Sequence, residues 1–260
     1  MVTRFAPSPT GYLHLGHVVN AIYVWRTARD AGGRVLLRME DRDRVRCRPE
    51  YEAAILDDLD WLGFEPDEGR WPLLRQSDRA HLYAEALERL RATHHVYACD
   101  CSRRQMASEQ YDGHCRDRRL REGPGRGLRV RIEPGVERFE DLLLGPIEQT
   151  PADQCGDLLL RDRDGHWTYQ FAVTVDDMLQ GITHVIRGAD LVASTGRQLR
   201  LARMLGRADR PVYLHHPLVL KPGGEKLSKG AADTGVRELR LGGASAAKVL
   251  ALAAATAGFG

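Results

Sequence analysis

Arg4-Phe5-Ala6-Pro7-Ser8-Pro9-Thr10-Gly11-Tyr12-Leu13-His14-Leu15-Gly16-His17 reads as a strand, a turn and the start of a helix. Val2 to Ala6 is a short apolar run suited to a strand. Pro7, Pro9 and Gly11 then punctuate a turn, since proline fixes φ and glycine permits unusual angles. After His17, apolar residues recur at Val18, Ala21, Ile22, Trp25 and Ala28, which is helical spacing. The histidines therefore stand at or just inside a helix N-terminus, where amide N–H groups and the helix dipole attract phosphate. Gly16 is placed to let a flat base or ribose approach the backbone. His14 and His17 can donate to a phosphate whose charge grows during reaction. Their plainer role is to cap or pad the turn.

A second segment gives the first a partner. Lys226-Leu227-Ser228-Lys229-Gly230 carries two ammonium groups just after the hinge-like Pro222-Gly223-Gly224. Alone it reads as a solvated turn. With the histidine segment it describes a loop that closes over the phosphates of ATP.

Between the two, strands alternate with helices. Val35 to Met39 reads as a buried strand. Tyr51, Ala54, Ile55, Leu59 and Leu62 mark a helix that Gly63 can end. Ser77 suits the N-cap of a helix carrying Tyr83, Ala86, Leu87 and Leu90. From Cys99 to about Gln170 the pattern breaks into short, charged, glycine- and proline-rich pieces. Gly181 to Arg187, a helix near Thr195 to Leu205, and Val212 to Leu220 restore it. The expected fold is α/β: a Rossmann-like parallel sheet split by a smaller inserted domain, with nucleotide at the carboxyl ends of the strands. The expected boundaries are 1–96 and 176–220 for the two halves, 97–175 for the insertion, and 221–260 for the lysine loop and a helical end.

Three cysteines, Cys99, Cys101 and Cys115, fall inside the insertion, a grouping that suits one tetrahedral, structural zinc. The fourth ligand stays open on chemical grounds, with His114 and His95 as commonplace candidates. Cys47 and Cys155 stand alone and read as ordinary small residues.

At 43% hydrophobic and 28% charged, 260 residues are ample for a core. A net charge of +2 does not announce a nucleic-acid binder. A local run does: Arg116, Arg118, Arg119, Arg121, Arg126, Arg129 and Arg131 read either as a solvated face or as phosphate contacts. No apolar stretch approaches the roughly 20 residues of a membrane span. With no secretory signal visible and no disulfide framework in prospect, the expectation is a cytoplasmic protein without a membrane partner.

The histidine and lysine segments resemble the two signature motifs of class I aminoacyl-tRNA synthetases. The finer resemblance is to the glutamyl branch. It is carried by Arg4 to Gly11, by Leu37-Arg38-Met39-Glu40-Asp41-Arg42-Asp43 and by Val185-Ile186-Arg187-Gly188-Ala189-Asp190-Leu191. Only 31 residues (260 − 229) follow Lys229, so the helical anticodon-binding half of full-length members is not expected. Short members of the branch attach glutamate to queuosine in the anticodon of tRNA(Asp). The resemblance implies ATP with Mg2+, L-glutamate and queuosine-bearing tRNA(Asp) as partners of a monomer. It implies that His14, Gly16, His17, Lys226 and Lys229 serve ATP, with His14, His17 and Lys229 catalytic. It implies that Arg4, Ala6, Ser8, Glu40, Tyr169 and Arg187 hold glutamate. It points to Tyr111 as the fourth zinc ligand beside the three cysteines, and it favours phosphate contact for the arginine run. Gly230 departs from the larger polar residue usual at that place in the loop.

Overall fold

Three parallel strands carry the start of the chain in the structure, a computed structural model describing residues 1–102, 110–219 and 235–258. Strand β1 (Val2–Phe5) pairs with β2 (Arg34–Met39), Val2 opposite Arg34 and Phe5 opposite Leu37, and β2 pairs in turn with β3 (Leu74–Arg75). Five successive residues of β2 are buried, as in a central parallel strand covered on both faces. The crossovers are α1 (Leu15–Asp30) and α2 (Pro49–Leu62). Helix α1 buries Val18, Ala21, Trp25 and Ala28, the residues whose spacing marked it. Helix α2 ends at Gly63 with φ 76°, a left-handed cap that glycine adopts without a Cβ clash.

The chain divides into two compact units. The first comprises 1–78, 182–191 and 213–260. Besides β1–β3 it holds β9 (His184–Gly188) beside β10 (Val212–His216), α7 (Val236–Leu241) and α8 (Ala246–Thr256). The Thr183 amide donates to the Val2 carbonyl, joining the approach to β9 to the edge of β1. Phe5, Val24, Leu37, Met39, Leu59, Val249 and Ala253 share one core.

The second unit, 79–181 and 192–212, contains α3 (Ala80–Thr93) and an antiparallel sheet. That sheet runs β4 (Val96–Cys99), β5 (Gly127–Val130), β8 (Leu158–Arg161). The hairpin of β6 (Glu137–Asp141) and β7 (Gly145–Gln149), then α4 (Pro151–Cys155), α5 (Tyr169–Leu179) and α6 (Val192–Met204), complete it. Its own core gathers Tyr83, Leu90, Leu128, Leu160, Phe171 and Leu201. One local expectation changes. Ser77 does not cap α3; it sits in a 3-10 turn, and its amide donates to Asp41 Oδ1 at 2.9 Å. A carboxylate from another segment orders that turn, so the helix begins only after Arg79. Among the described residues no helix is long and apolar enough to cross a membrane.

Candidate functional site

His14 is the N-cap of α1, and its ring is part of the helix start. His14 Nδ1 accepts from the Gly16 amide at 3.1 Å, and His17 Nδ1 accepts from the His14 amide at 3.1 Å. This reciprocal pair is a capping box built from two imidazoles. An Nδ1 that accepts leaves the proton of a neutral ring on Nε2. Both rings therefore present an Nε2–H donor, and their centroids lie 3.9 Å apart. Capping leaves room for donation, since each ring caps through Nδ1 and carries its proton on Nε2. A Cβ on Gly16 would stand 3.0 Å from His14 Cε1. The glycine thus makes room for the histidine ring itself.

Glu40 lies at the end of β2. Its amide donates to the Pro7 carbonyl at 2.9 Å, and Ser8 Oγ donates to the Glu40 carbonyl at 3.0 Å. These bonds bring Ala6, Ser8 and Glu40 together at the carboxyl ends of β1 and β2. Arg38 Nη2 donates to Glu40 Oε1 at 3.1 Å and orients the carboxylate. Arg4 and Arg187 are each only 4% exposed, one on β1 and the other on β9. Arg4 Nη1 donates to the Ile186 carbonyl at 3.4 Å, which ties its guanidinium to the strand that carries Arg187. Tyr169 opens α5 in the second unit. Lys226, Lys229, Gly230 and the Pro222-Gly223-Gly224 hinge lie outside the described residues.

Two features escaped the sequence reading. Arg187 Nε donates to Nε2 of the buried His215 at 3.1 Å, on the neighbouring strand. The period-two alternation of Tyr213 and His215 was the available signal. The second is a clamp behind the histidine turn. The Val236 amide donates to the Leu13 carbonyl at 2.9 Å, and the Arg237 guanidinium lies 4.7 Å from the Tyr12 ring centre. Arg240 Nη1 reaches Asp57 Oδ2 at 2.5 Å and Asp58 Oδ1 at 3.9 Å. Burial, with the Asp57 charge added, raises the Asp58 carboxyl to about 6, and no hydrogen bond reaches its buried Oδ2.

In the second unit Cys99, Cys101 and Cys115 bring their sulfurs within 4.8 Å of one another. Cys101 Sγ and Cys115 Sγ are 3.5 Å apart, and Tyr111 Oη lies 3.5 Å from Cys99 Sγ and 4.0 Å from Cys101 Sγ. Tetrahedral zinc with Zn–S near 2.3 Å needs sulfurs about 3.8 Å apart, so this donor set has the right span. His114 and His95 are exposed and are not among the gathered ligand atoms. Burial raises the Cys99 thiol, but the hydrogen bonds it shares with Tyr111 and Arg129 outweigh it and the net shift is down. Burial, then the hydrogen bond with Cys115, pushes Cys101 up to about 12. Burial raises the Tyr111 phenol as well. Gly156 faces this tyrosine with φ 64°, where a Cβ would meet the Tyr111 carbonyl oxygen at 1.9 Å.

The arginine run divides. Arg116 grips the buried Asp157 with two bonds of 2.9 and 3.0 Å. Arg129 is buried, with its guanidinium 3.7 Å from the Tyr111 ring centre and Nε 3.4 Å from Cys99 Sγ. Arg118 binds Asp100 at 2.8 Å and Arg131 binds Glu133 at 2.9 Å. Arg119 and Arg121 are exposed, and the half-buried Arg126 donates to the Arg121 carbonyl.

Residues 1–251 match the family "tRNA synthetases class I (E and Q), catalytic domain". A glutamyl-Q tRNA(Asp) synthetase from Nitratidesulfovibrio vulgaris is 42% identical over 98% of this chain and 86% of its own length. One from Rhodobacter capsulatus is 44% identical over 96% of this chain and 98% of its own. Among solved structures, a glutamate tRNA ligase from Elizabethkingia meningosepticum in complex with its amino acid superposes with a TM-score of 0.78 at 30% identity. That superposition covers 90% of this chain and 52% of the ligase, so the chain spans about half of that protein's length. By the match across nearly all its residues, with an α/β parallel-sheet fold to go with it, the chain belongs to the class I tRNA synthetases of the glutamate and glutamine type.

Proposed function

We propose that the chain activates L-glutamate with ATP and transfers the glutamyl group to queuosine in the anticodon of tRNA(Asp). The observation that carries this reading is the match, along nearly the whole chain, to relatives that bear the name glutamyl-Q tRNA(Asp) synthetase. In the first step an α-carboxylate oxygen of glutamate attacks the α-phosphorus of ATP. The P–O bond to pyrophosphate breaks and a mixed anhydride remains. In the second a cyclopentene hydroxyl of queuosine attacks the acyl carbon, and AMP leaves. Neither step needs a protein nucleophile; rate comes from positioning and charge stabilisation. Magnesium enters with the triphosphate and shares its charge.

The Nε2–H groups of His14 and His17 donate to the phosphates, as do Lys226 and Lys229, with Gly16 allowing the histidine turn to form. Glu40 accepts the substrate ammonium beside Ser8 and the Ala6 backbone. Arg4 and Arg187 pair with the side-chain carboxylate, where a guanidinium fork matches two oxygens, and Tyr169 adds a donor. Zinc, held by Cys99, Cys101, Cys115 and Tyr111, ties two segments of the second unit together and supplies folding energy there. The domain division at 96, 175 and 220 belongs to this proposal, as does action by a monomer in the cytoplasm.

Labelled glutamate offered to purified tRNAs tests it. Incorporation only into queuosine-bearing tRNA(Asp) is expected, with ATP–pyrophosphate exchange proceeding on glutamate alone. The solved glutamate tRNA ligase favours a second reading, in which glutamate is charged to a tRNA 3′ end. Incorporation independent of queuosine, with exchange that waits for tRNA, would establish that reading instead.

A further inference from the structure

Arg187 is held on three sides by groups that no part of the reaction above uses. Its Nε donates to His215 Nε2 at 3.1 Å, and its Nη2 donates to the Leu191 carbonyl at 3.4 Å. The Tyr213 ring centre lies 5.6 Å from the guanidinium carbon. Tyr213 and His215 project from the same face of β10 with rings within 3° of parallel. His215 is 1% exposed and accepts through Nε2, so its ring proton belongs on Nδ1.

We propose that His215 is the positioning residue for Arg187, and that it sets the edge of the guanidinium that meets a substrate carboxylate. A guanidinium grips a carboxylate in two ways, side-on through Nε and one Nη or end-on through both Nη. His215 takes the Nε–H, which removes that nitrogen from the side-on mode, and with the Leu191 carbonyl on Nη2 it stops the guanidinium from turning. A neutral imidazole does this without cancelling the arginine's charge. Either fork needs two acceptors, so a guanidinium held still favours a carboxylate, which offers two oxygens, over a carboxamide, which offers one. The inference rests on the proposal that Arg187 meets the side-chain carboxylate of glutamate.

ATP–pyrophosphate exchange, run with glutamate and with glutamine on the full chain, provides the test. His215→Phe keeps a ring but no acceptor. It should raise KM for glutamate about tenfold, the effect of losing one hydrogen bond to a charged group, and narrow the glutamate-to-glutamine preference. KM for ATP should stay within about twofold, and His215→Gln, which restores an acceptor, should recover most of the loss. A folded His215→Phe protein with unchanged glutamate KM and preference overturns the proposal. So does a parallel loss for ATP and glutamate that Gln does not rescue. Arg187→Ala, run alongside, separates two failures. If it too leaves glutamate KM unchanged, the assignment of Arg187 to the carboxylate has failed. If only Arg187→Ala is impaired, the assignment holds and the role of His215 is wrong. Should the Phe variant not fold, 1H–15N NMR of the wild-type imidazole decides: an unprotonated Nε2 supports the proposal and an Nε2–H overturns it.

Discussion

The capping hydrogen bonds of the two histidines come from residues two and three positions away, whereas Cys99 in the cysteine cluster draws on Tyr111, 12 positions away, and Arg129, 30 positions away. In the turn, each imidazole builds the helix start through Nδ1 and carries its proton on Nε2. In the cluster, the basic residues that a tRNA partner would want are largely spent on the scaffold. Arg129 covers the Tyr111 ring and Arg116 neutralises Asp157, which also accepts from Tyr97 and from the Ile132 amide. A short-range site can therefore give structure and chemistry to the same side chains. A site assembled from distant segments needs separate residues to hold it.

The sharpest way to break that contrast is His14→Asn. Asparagine is a good N-cap but offers no Nε2–H at that place. Stability should stay within about 1 kcal/mol while glutamate activation falls about 10²–10³-fold, the usual cost of one aligned donor. Equal loss under His14→Asn and His14→Ala, accompanied by a large drop in Tm, would show that the ring serves the helix alone. Lys229→Ala should show a comparable fall in activation with glutamate affinity little changed.

The cluster should behave in the opposite way. One zinc per chain is expected on metal analysis. Its removal, or Cys101→Ser, should destabilise the second unit by several kcal/mol in thermal or denaturant unfolding. Glutamate activation at low temperature should change only indirectly. Tyr111→Phe should lose zinc while His114→Ala retains it. Zinc lost only from the histidine variant would remove Tyr111 from the ligand set.

Asp58 probes the clamp behind the histidine turn. Its folded value of about 6 lies above the ordinary 3.8, so its contribution to stability is present below 3.8 and is lost as pH rises through 6. Above pH 6 the buried ionised form costs on the order of 2–3 kcal/mol. Asp58→Asn removes that cost, so the Tm gained over wild type should grow from pH 5 to pH 8. A gain that is flat with pH would show that Asp58 ionises normally. The smallest effect belongs to the surface. Arg121→Ala should weaken tRNA binding severalfold and reduce the salt slope by about one, with Tm unchanged. Arg116→Ala should lower Tm first.

The same difference in range explains what the sequence disclosed. The spacing of Val18, Ala21, Trp25 and Ala28, the stop at Gly63 and the buried strand ending at Met39 are local patterns, and the structure repeats them. The gathering of Cys99, Cys101 and Cys115 was legible because a Cys-x-Cys pair is already half a metal site. The partners of Arg116 and Arg129 were not legible, because an arginine bound to a buried aspartate and one facing solvent look alike in a string. Ser77 failed as a cap for the same reason: Asp41, 36 residues earlier, orders that turn. The alternation of Tyr213 and His215 marks one face of a strand, but it does not name Arg187, 28 residues earlier, as the partner of His215.

Where glutamate ends up is read most directly by mapping its position on the tRNA. Queuosine-bearing tRNA(Asp) is glutamylated with labelled glutamate and cut with a base-specific nuclease, and the fragments are separated. Periodate is unsuitable, because it attacks the queuosine diol and the terminal ribose alike. The label should be found on the anticodon fragment. Label on the 3′-terminal adenosine fragment, with none on the anticodon, would contradict the account and make the chain a 3′-end charging enzyme.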